Sequence, residues 1–179
     1  MKTRTRVLTG TALVVALGAG AFGAVSASAT TGTPAHTVAA KDDKDFTTST
    51  HLTVDAATRA ARAALEAAQK EDQKVTVAVV DRNGNTIVTL RGDGAGPQSY
   101  ESAQRKAYTA VSWNAPTSVL AGRLAQAPNL KDIPGTLFLA GGTPVQAGGA
   151  PVAGVGVAGA PSGDLDEKFA KAGVDALGK

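Results

Sequence analysis

The run Gly154-Val155-Gly156-Val157-Ala158-Gly159 sets the tightest constraint on what this chain can fold into. Its spacing formally matches the G-x-G-x-x-G fingerprint of dinucleotide-binding proteins, but its context argues against that use. The fingerprint needs its glycines at a strand-to-helix turn early in a βαβ unit, with an acid about 20 residues on. Here Gly154 and Gly156 alternate with apolar residues, which is the period of a strand. Lys179, the last residue, also leaves no room for a following parallel strand. The glycines therefore read as features of antiparallel strands and turns. A strand this thin in side chains lets a helix or a neighbouring subunit approach closely.

Residues 1–29 read as a secretory signal: Lys2, Arg4 and Arg6, then an apolar stretch from Val7 to Val25, then the cleavage pattern Ala27-Ser28-Ala29. Export with removal of this segment is the expectation. The whole chain carries 18 Lys and Arg against 15 Asp and Glu. Losing the three basic residues of the signal leaves the two in balance, so nucleic-acid binding gains no support. The chain has no cysteine. Disulfides, thiolate-held metals and thiol catalysis are thereby excluded together. Residues 30–50, rich in Thr, Ala, Ser, Gly and Pro and containing the charged cluster Lys41 to Asp45, read as a flexible tether to a domain over 51–179.

Thr53 can cap a helix running to about Asp72, whose alanines suit close packing on a sheet. Val75 to Asp81 reads as a strand, Asn83-Gly84 as a tight hairpin turn, and Asn85 to Arg91 as the returning strand. Ser99 is placed to cap a second helix through about Trp113, with Ala103, Ala107, Ala110 and Val111 on its packing face. Glu101, Arg105, Tyr108, Thr109 and Ser112 fall on the other face. Asn114 is expected to cap a short third helix. Thr136–Ala140, Thr143–Ala147 and Pro151–Ala158 are expected strands, and Asp164–Leu177 a final helix. Strands grouped in meanders predict an α+β fold with one antiparallel sheet of about five strands.

Four segments occur in an order that resembles the GlcG/HbpS-like haem-binding protein family, and in its extracellular branch. They are VAVVDRNGNTIVTLRGDGAGPQS, SAQRKAYTAVSWNAPTS, IPGTLFLAGGTPV and PVAGVGVAGAPSGDLDEKFAKAGVDAL, spanning essentially Leu52 to Lys179. The resemblance implies a PAS/profilin-like domain, dimer-based homo-oligomers up to an octamer, and haem or related tetrapyrrole binding. For that branch it also implies slow haem degradation, iron sequestration and an accessory role to a membrane sensor kinase under redox stress. Two other readings stay open: an enzyme of the same superfamily acting on a small metabolite or corrinoid, and a protein-binding module with incidental haem affinity.

Haem requires an apolar slot, an iron ligand and cations for its propionates. Only the initiator methionine is present, and the two histidines are His36, in the tether, and His51, at the domain's edge; either can ligate iron from a mobile segment, against the plain reading of a solvated terminal histidine. Tyr100, Tyr108 and Thr109 remain on the second helix. The resemblance implies a threonine near the haem in this region, and Thr109 is the match. A structural role competes with it, the hydroxyl bonding to the preceding turn. Arg105 and Lys106 can meet propionates, or serve the Glu101 pair and oligomer contacts. Asp164-x-x-Glu167 can hold iron loosely through oxygen, but the same residues make a capping-box-like helix start. With two histidines, both outside the expected core, a Ser–His or His–metal hydrolytic site is hard to assemble.

Overall fold

The computed structural model describes residues 43–178. The chain divides after Asp45 into two units. Of the first, only a 3-10 turn at Asp43–Asp45 is described. The expected leader and most of the expected tether lie outside the described residues.

The second unit is α+β, as expected. Helix α1 covers Val54–Gln69, strands β1 and β2 Thr76–Asp81 and Thr86–Arg91, and helix α2 Pro97–Trp113. Helix α3 covers Thr117–Gly122, strands β3 and β4 Gly142–Ala147 and Ala150–Ala158, and helix α4 Gly163–Asp175. The sheet has four antiparallel strands in the order β2-β1-β4-β3, not about five. The missing strand is Thr136–Ala140, which has no regular structure. Its Leu137 N–H donates to the Thr109 hydroxyl on α2, not to a neighbouring strand.

Alternation along the strands sorts the two faces of the sheet. Val77, Val79, Val155 and Val157 form one apolar cluster with Phe169 and Ala170 of α4 and the alanines Ala57, Ala60, Ala61 and Ala64 of α1. Ala78, Val80, Gly154 and Gly156 face the other way, toward α2. Gly142 pairs with Gly156, which pairs with Ala78, so a strip of very small residues crosses the sheet. Helix α2 lies in that strip. A Cβ built on Gly154 would stand 2.2 Å from the Ala107 carbonyl oxygen, and one on Gly142 2.4 Å from that of Lys106. The glycines that mimic a nucleotide motif are therefore the seat of a helix.

Several helix ends differ from expectation. Thr53 does cap α1, accepting from Ala56 N at 3.2 Å. Helix α2 begins at Pro97 after Gly96, two residues before Ser99. The buried Ser99 hydroxyl instead donates to Gly96 O (2.6 Å) and meets that of Thr76 (2.7 Å). Asn114, at φ 51°, ends α2 in the left-handed conformation and does not start α3. Asn tolerates that geometry because its short side chain adds little crowding there.

The hairpin forms, but not through a two-residue turn. Within this loop Gly84 alone has positive φ, and the Asp81 carboxylate accepts from Asn83 N (2.8 Å) and Asn85 N (2.9 Å), organising a longer loop. Burial opposes the Asp81 charge, but the Asn85 and Asn83 donors and nearby His51 outweigh it and hold the carboxyl below its ordinary 3.8. A depressed acid stabilises the fold above the unfolded-state value and loses that contribution as pH falls through its folded value. Asp81→Ala is expected to cost about 2 kcal/mol at neutral pH, the scale of hydrogen bonds to a charged acceptor. Urea titration should show the wild-type advantage fading below pH 3.8. A penalty unchanged at lower pH would contradict this account.

Candidate functional site

Helix α2 carries most of the residues singled out from the sequence, and the structure separates them into three environments. Arg105 and Tyr108 share an open cleft of about 430 Å³ with Val80, Gly84, Thr86, Gln104, Pro134 and Gly135. They stand three residues apart, so the helix presents them side by side. The Tyr108 ring runs between two turns: a Cβ on Gly84 would meet it at 2.9 Å and one on Gly135 at 3.6 Å. Arg105 pairs with Glu101 at 2.7 Å, as the spacing predicts, with nearly half of the arginine side chain still exposed. Tyr100 is also on the exposed side.

Thr109 lies next to this cleft but is fully buried. Its helix-surface placement is therefore corrected, because the loop before β3 folds over it. The hydroxyl donates to Arg105 O (2.7 Å) and accepts from Leu137 N (2.8 Å). The bond to the preceding turn is present, and the oxygen also ties down a distant segment.

Lys106, expected among the propionate cations, is 2% exposed and points into the protein. Its ammonium donates to Asp166 at 2.8 Å and to Val157 O at 3.1 Å. Asp166 also accepts from Ala160 N at 3.0 Å. The pair thus joins α2, the end of β4 and α4. Burial pushes the Asp166 carboxyl above its ordinary 3.8, against the pull of Lys106 and of the Ala160 and Gly159 amides. Asp166 was not singled out in the sequence. The signal was present, however: it shares the i, i+3, i+4, i+7 face with Phe169, Ala170 and Gly173, all buried. A second cleft, of about 380 Å³, opens beside this pair between Ser99, Ser102, Leu139 and the Gly159–Gly163 loop.

The expected capping box at Asp164 and Glu167 is not formed. Ser162 caps α4, accepting from Leu165 N at 3.2 Å. Asp164 lies inside the first turn, and Glu167 turns away to α3. Its carboxylate accepts from Ser118 N (2.9 Å), Thr117 Oγ1 (3.3 Å), Gly141 N (3.2 Å) and the Ser118 hydroxyl. Most of its lone-pair sites are thus in use. Among the described residues, no group of three or more His, Cys, Asp or Glu is gathered to hold a metal. His51 is exposed and bonds Ser49 Oγ at 2.7 Å. His36 lies outside the described residues.

These features define a small α+β domain whose chemistry-bearing side chains cluster on one sheet-covering helix and the loop above it. The chain belongs to the family of HbpS-like haem degrading proteins, whose family model matches residues 52–175. A crystal structure of HbpS is 77% identical, with a TM-score of 0.77, covering 79% of this chain and 100% of that one. A double mutant of HbpS from Streptomyces reticuli is 74% identical, with a TM-score of 0.78 and coverage of 82% and 100%. A crystal structure of a PduOC–haem complex is 27% identical, with a TM-score of 0.65 and coverage of 71% and 95%. A search of curated proteins returned no match.

Proposed function

We propose that this protein is exported, binds haem or a related tetrapyrrole, and acts as an accessory to a membrane sensor kinase, degrading haem slowly at most. The observation that carries the haem reading is the family match over residues 52–175, together with the 27% identity to a protein crystallised with haem. The residues present suit the group. The Arg105–Tyr108 cleft combines a guanidinium for a propionate, an aromatic wall and a volume in the range of small-molecule sites. Thr109 lies next to it as an oxygen donor, which the family resemblance implies for iron. A neutral hydroxyl is a weak ligand, so binding is exchangeable, as a sensor requires. When bound, haem supplies redox chemistry at its iron. The protein's part is to orient the ring and control what reaches it. Lys106 is not counted among the propionate cations, because Asp166 engages it.

The cleft is open, so one protomer covers only part of a haem. A homo-oligomer in which a second copy closes the other face is part of this reading, and size-exclusion chromatography with light scattering tests it. A monomer would count against it.

Titrating hemin into the mature protein should produce a saturable Soret change. Thr109→Ala should weaken it by about tenfold, or about 1.4 kcal/mol of binding, and His51→Ala should leave it within error. If no saturable Soret change occurs, the haem reading is wrong. Haem-dependent binding to a purified kinase ectodomain would support the accessory role, and binding indifferent to haem would point to a protein-binding module. Loss of the Soret band under reductant would identify degradation.

A further inference from the structure

We infer that residues 136–140 form a latch over Thr109, and that this latch must lift before a haem can reach the threonine oxygen. The inference rests on the haem reading above and concerns how access to that site is controlled.

Thr109 is fully buried, and the irregular segment between Gly135 and Gly141 reaches its hydroxyl through Leu137 N. Both glycines have positive φ, 79° and 130°, conformations that other residues adopt only with strain. The Gly141 end is anchored: its carbonyl accepts from Val157 N at 2.8 Å, and its N–H donates to Glu167. The Gly135 end packs loosely on the Tyr108 ring, in the floor of the open cleft.

Between those ends few backbone hydrogen bonds hold the segment. The Thr136 hydrogen bonds are local, both to Ile133 O. Among the described residues, one hydrogen bond ties residues 136–140 to the rest of the domain, from Leu137 N to Thr109 Oγ1. Side chains tie it at two further places: the buried Phe138 meets Trp113 edge-on, at 5.2 Å between ring centres, and Ala140 packs at the start of α4, where a Cβ on Gly163 would meet it at 3.0 Å. Leu139 is 53% exposed and adds little. Few backbone bonds to the body put a segment among the first parts of a protein to open.

The chemistry of Thr109 makes the latch and iron binding compete. Its proton goes to Arg105 O, so what the oxygen offers outward is lone pairs. The Leu137 N–H takes one of them, and with the segment in place the residue is fully buried. Lifting the segment leaves the Arg105 bond intact, and with it the orientation of the oxygen. The ligand is thus positioned in advance and masked by a single backbone N–H.

Stopped-flow mixing with excess hemin reads this directly. If opening precedes binding, the observed rate levels off at the opening rate as hemin is raised. Leu137→Pro removes the N–H that holds the latch, and Phe138→Ala removes the ring contact. Each should raise the plateau roughly 3- to 10-fold, the factor one aromatic pair or neutral hydrogen bond represents. Phe138→Ala keeps the test intact if Leu137→Pro does not fold. A wild-type rate that rises linearly with hemin and is unchanged in Phe138→Ala would overturn the latch. Undiminished affinity in Thr109→Val would also overturn it, while leaving haem binding standing. An absent Soret change in every variant would instead remove the haem reading, and the latch with it.

Discussion

Gly156→Val is expected to leave the domain largely unfolded at temperatures where the wild type is native. A Cβ at this position would stand 2.1 Å from the Ala103 carbonyl oxygen and 2.5 Å from Ala107 N. Both are helix backbone atoms, so no side-chain rotation relieves the clash. Either α2 lifts off the sheet, stripping Ala103, Ala107 and Val111 of their contacts, or β4 bends out of the ladder it makes with β1 and β3. Overpacking of this kind, against backbone, belongs to the rare class of substitutions costing about 4 kcal/mol or more. At roughly 4 °C per kcal/mol for a domain of this size, the midpoint should fall by about 15 °C or more. Gly122→Ala makes the contrast, because its Cβ meets nothing within 4 Å. It ends α3 at helical φ −62°, so alanine should be neutral or gain up to about 1 kcal/mol. Circular-dichroism melts of the two variants check both outcomes. A Gly156→Val midpoint within a few degrees of wild type would mean that α2 is not seated on the sheet as described.

Lys106→Met should cost about 3–5 kcal/mol at neutral pH, because it leaves the Asp166 carboxylate buried without its partner. The charge is expected to be relieved by protonation. Burial already holds the Asp166 carboxyl above 3.8, and losing the ammonium pushes it further up. For an acid raised on folding, the proton-linked stability is fully present below the unfolded-state value and is lost as pH rises through the folded value. The Lys106→Met penalty should therefore shrink as pH is lowered from 7 toward 4. Adding Asp166→Asn should recover at least half of it at neutral pH, since no charge then remains to desolvate. Urea unfolding of the two singles and the double isolates the coupling. A double variant as unstable as the sum of the singles would mean that the two residues act independently, and a pH-independent penalty would mean that packing, not charge, dominates.

The elements with strong local signals were legible from the residues in order. Helix α1 follows from Thr53 and the alanine spacing, and the β1–β2 pair from its β-branched residues and Asn83-Gly84. The face of α2 made by Ala103, Ala107, Ala110 and Val111 is buried as its period requires. Thr136–Ala140 misled because a short apolar run looks the same whether it joins a sheet or covers a helix. Asp164 and Glu167 misled because α4 starts two residues earlier than expected, at a Ser162 cap that is as good as an acid, and Glu167 finds donors on α3. Those donors lie about fifty positions earlier in the chain, so no local pattern records them.

By itself the sequence determined the class of the fold, the absence of thiol chemistry, and the family, since these depend on composition, short-range period and ordered motifs. It also showed that Gly154 and Gly156 belong to a strand. Only the tertiary structure decided what those glycines serve: α2 pressed so close to the sheet that a single methyl would not fit. It also decided that Lys106 is an interior charge and Thr109 a covered oxygen. Both residues sit on one helix at positions whose period allows either exposure or burial. What settled them is Asp166, 60 residues on, and Leu137, 28 residues on. Burial is set by what packs against a face, and that partner comes from elsewhere in the chain.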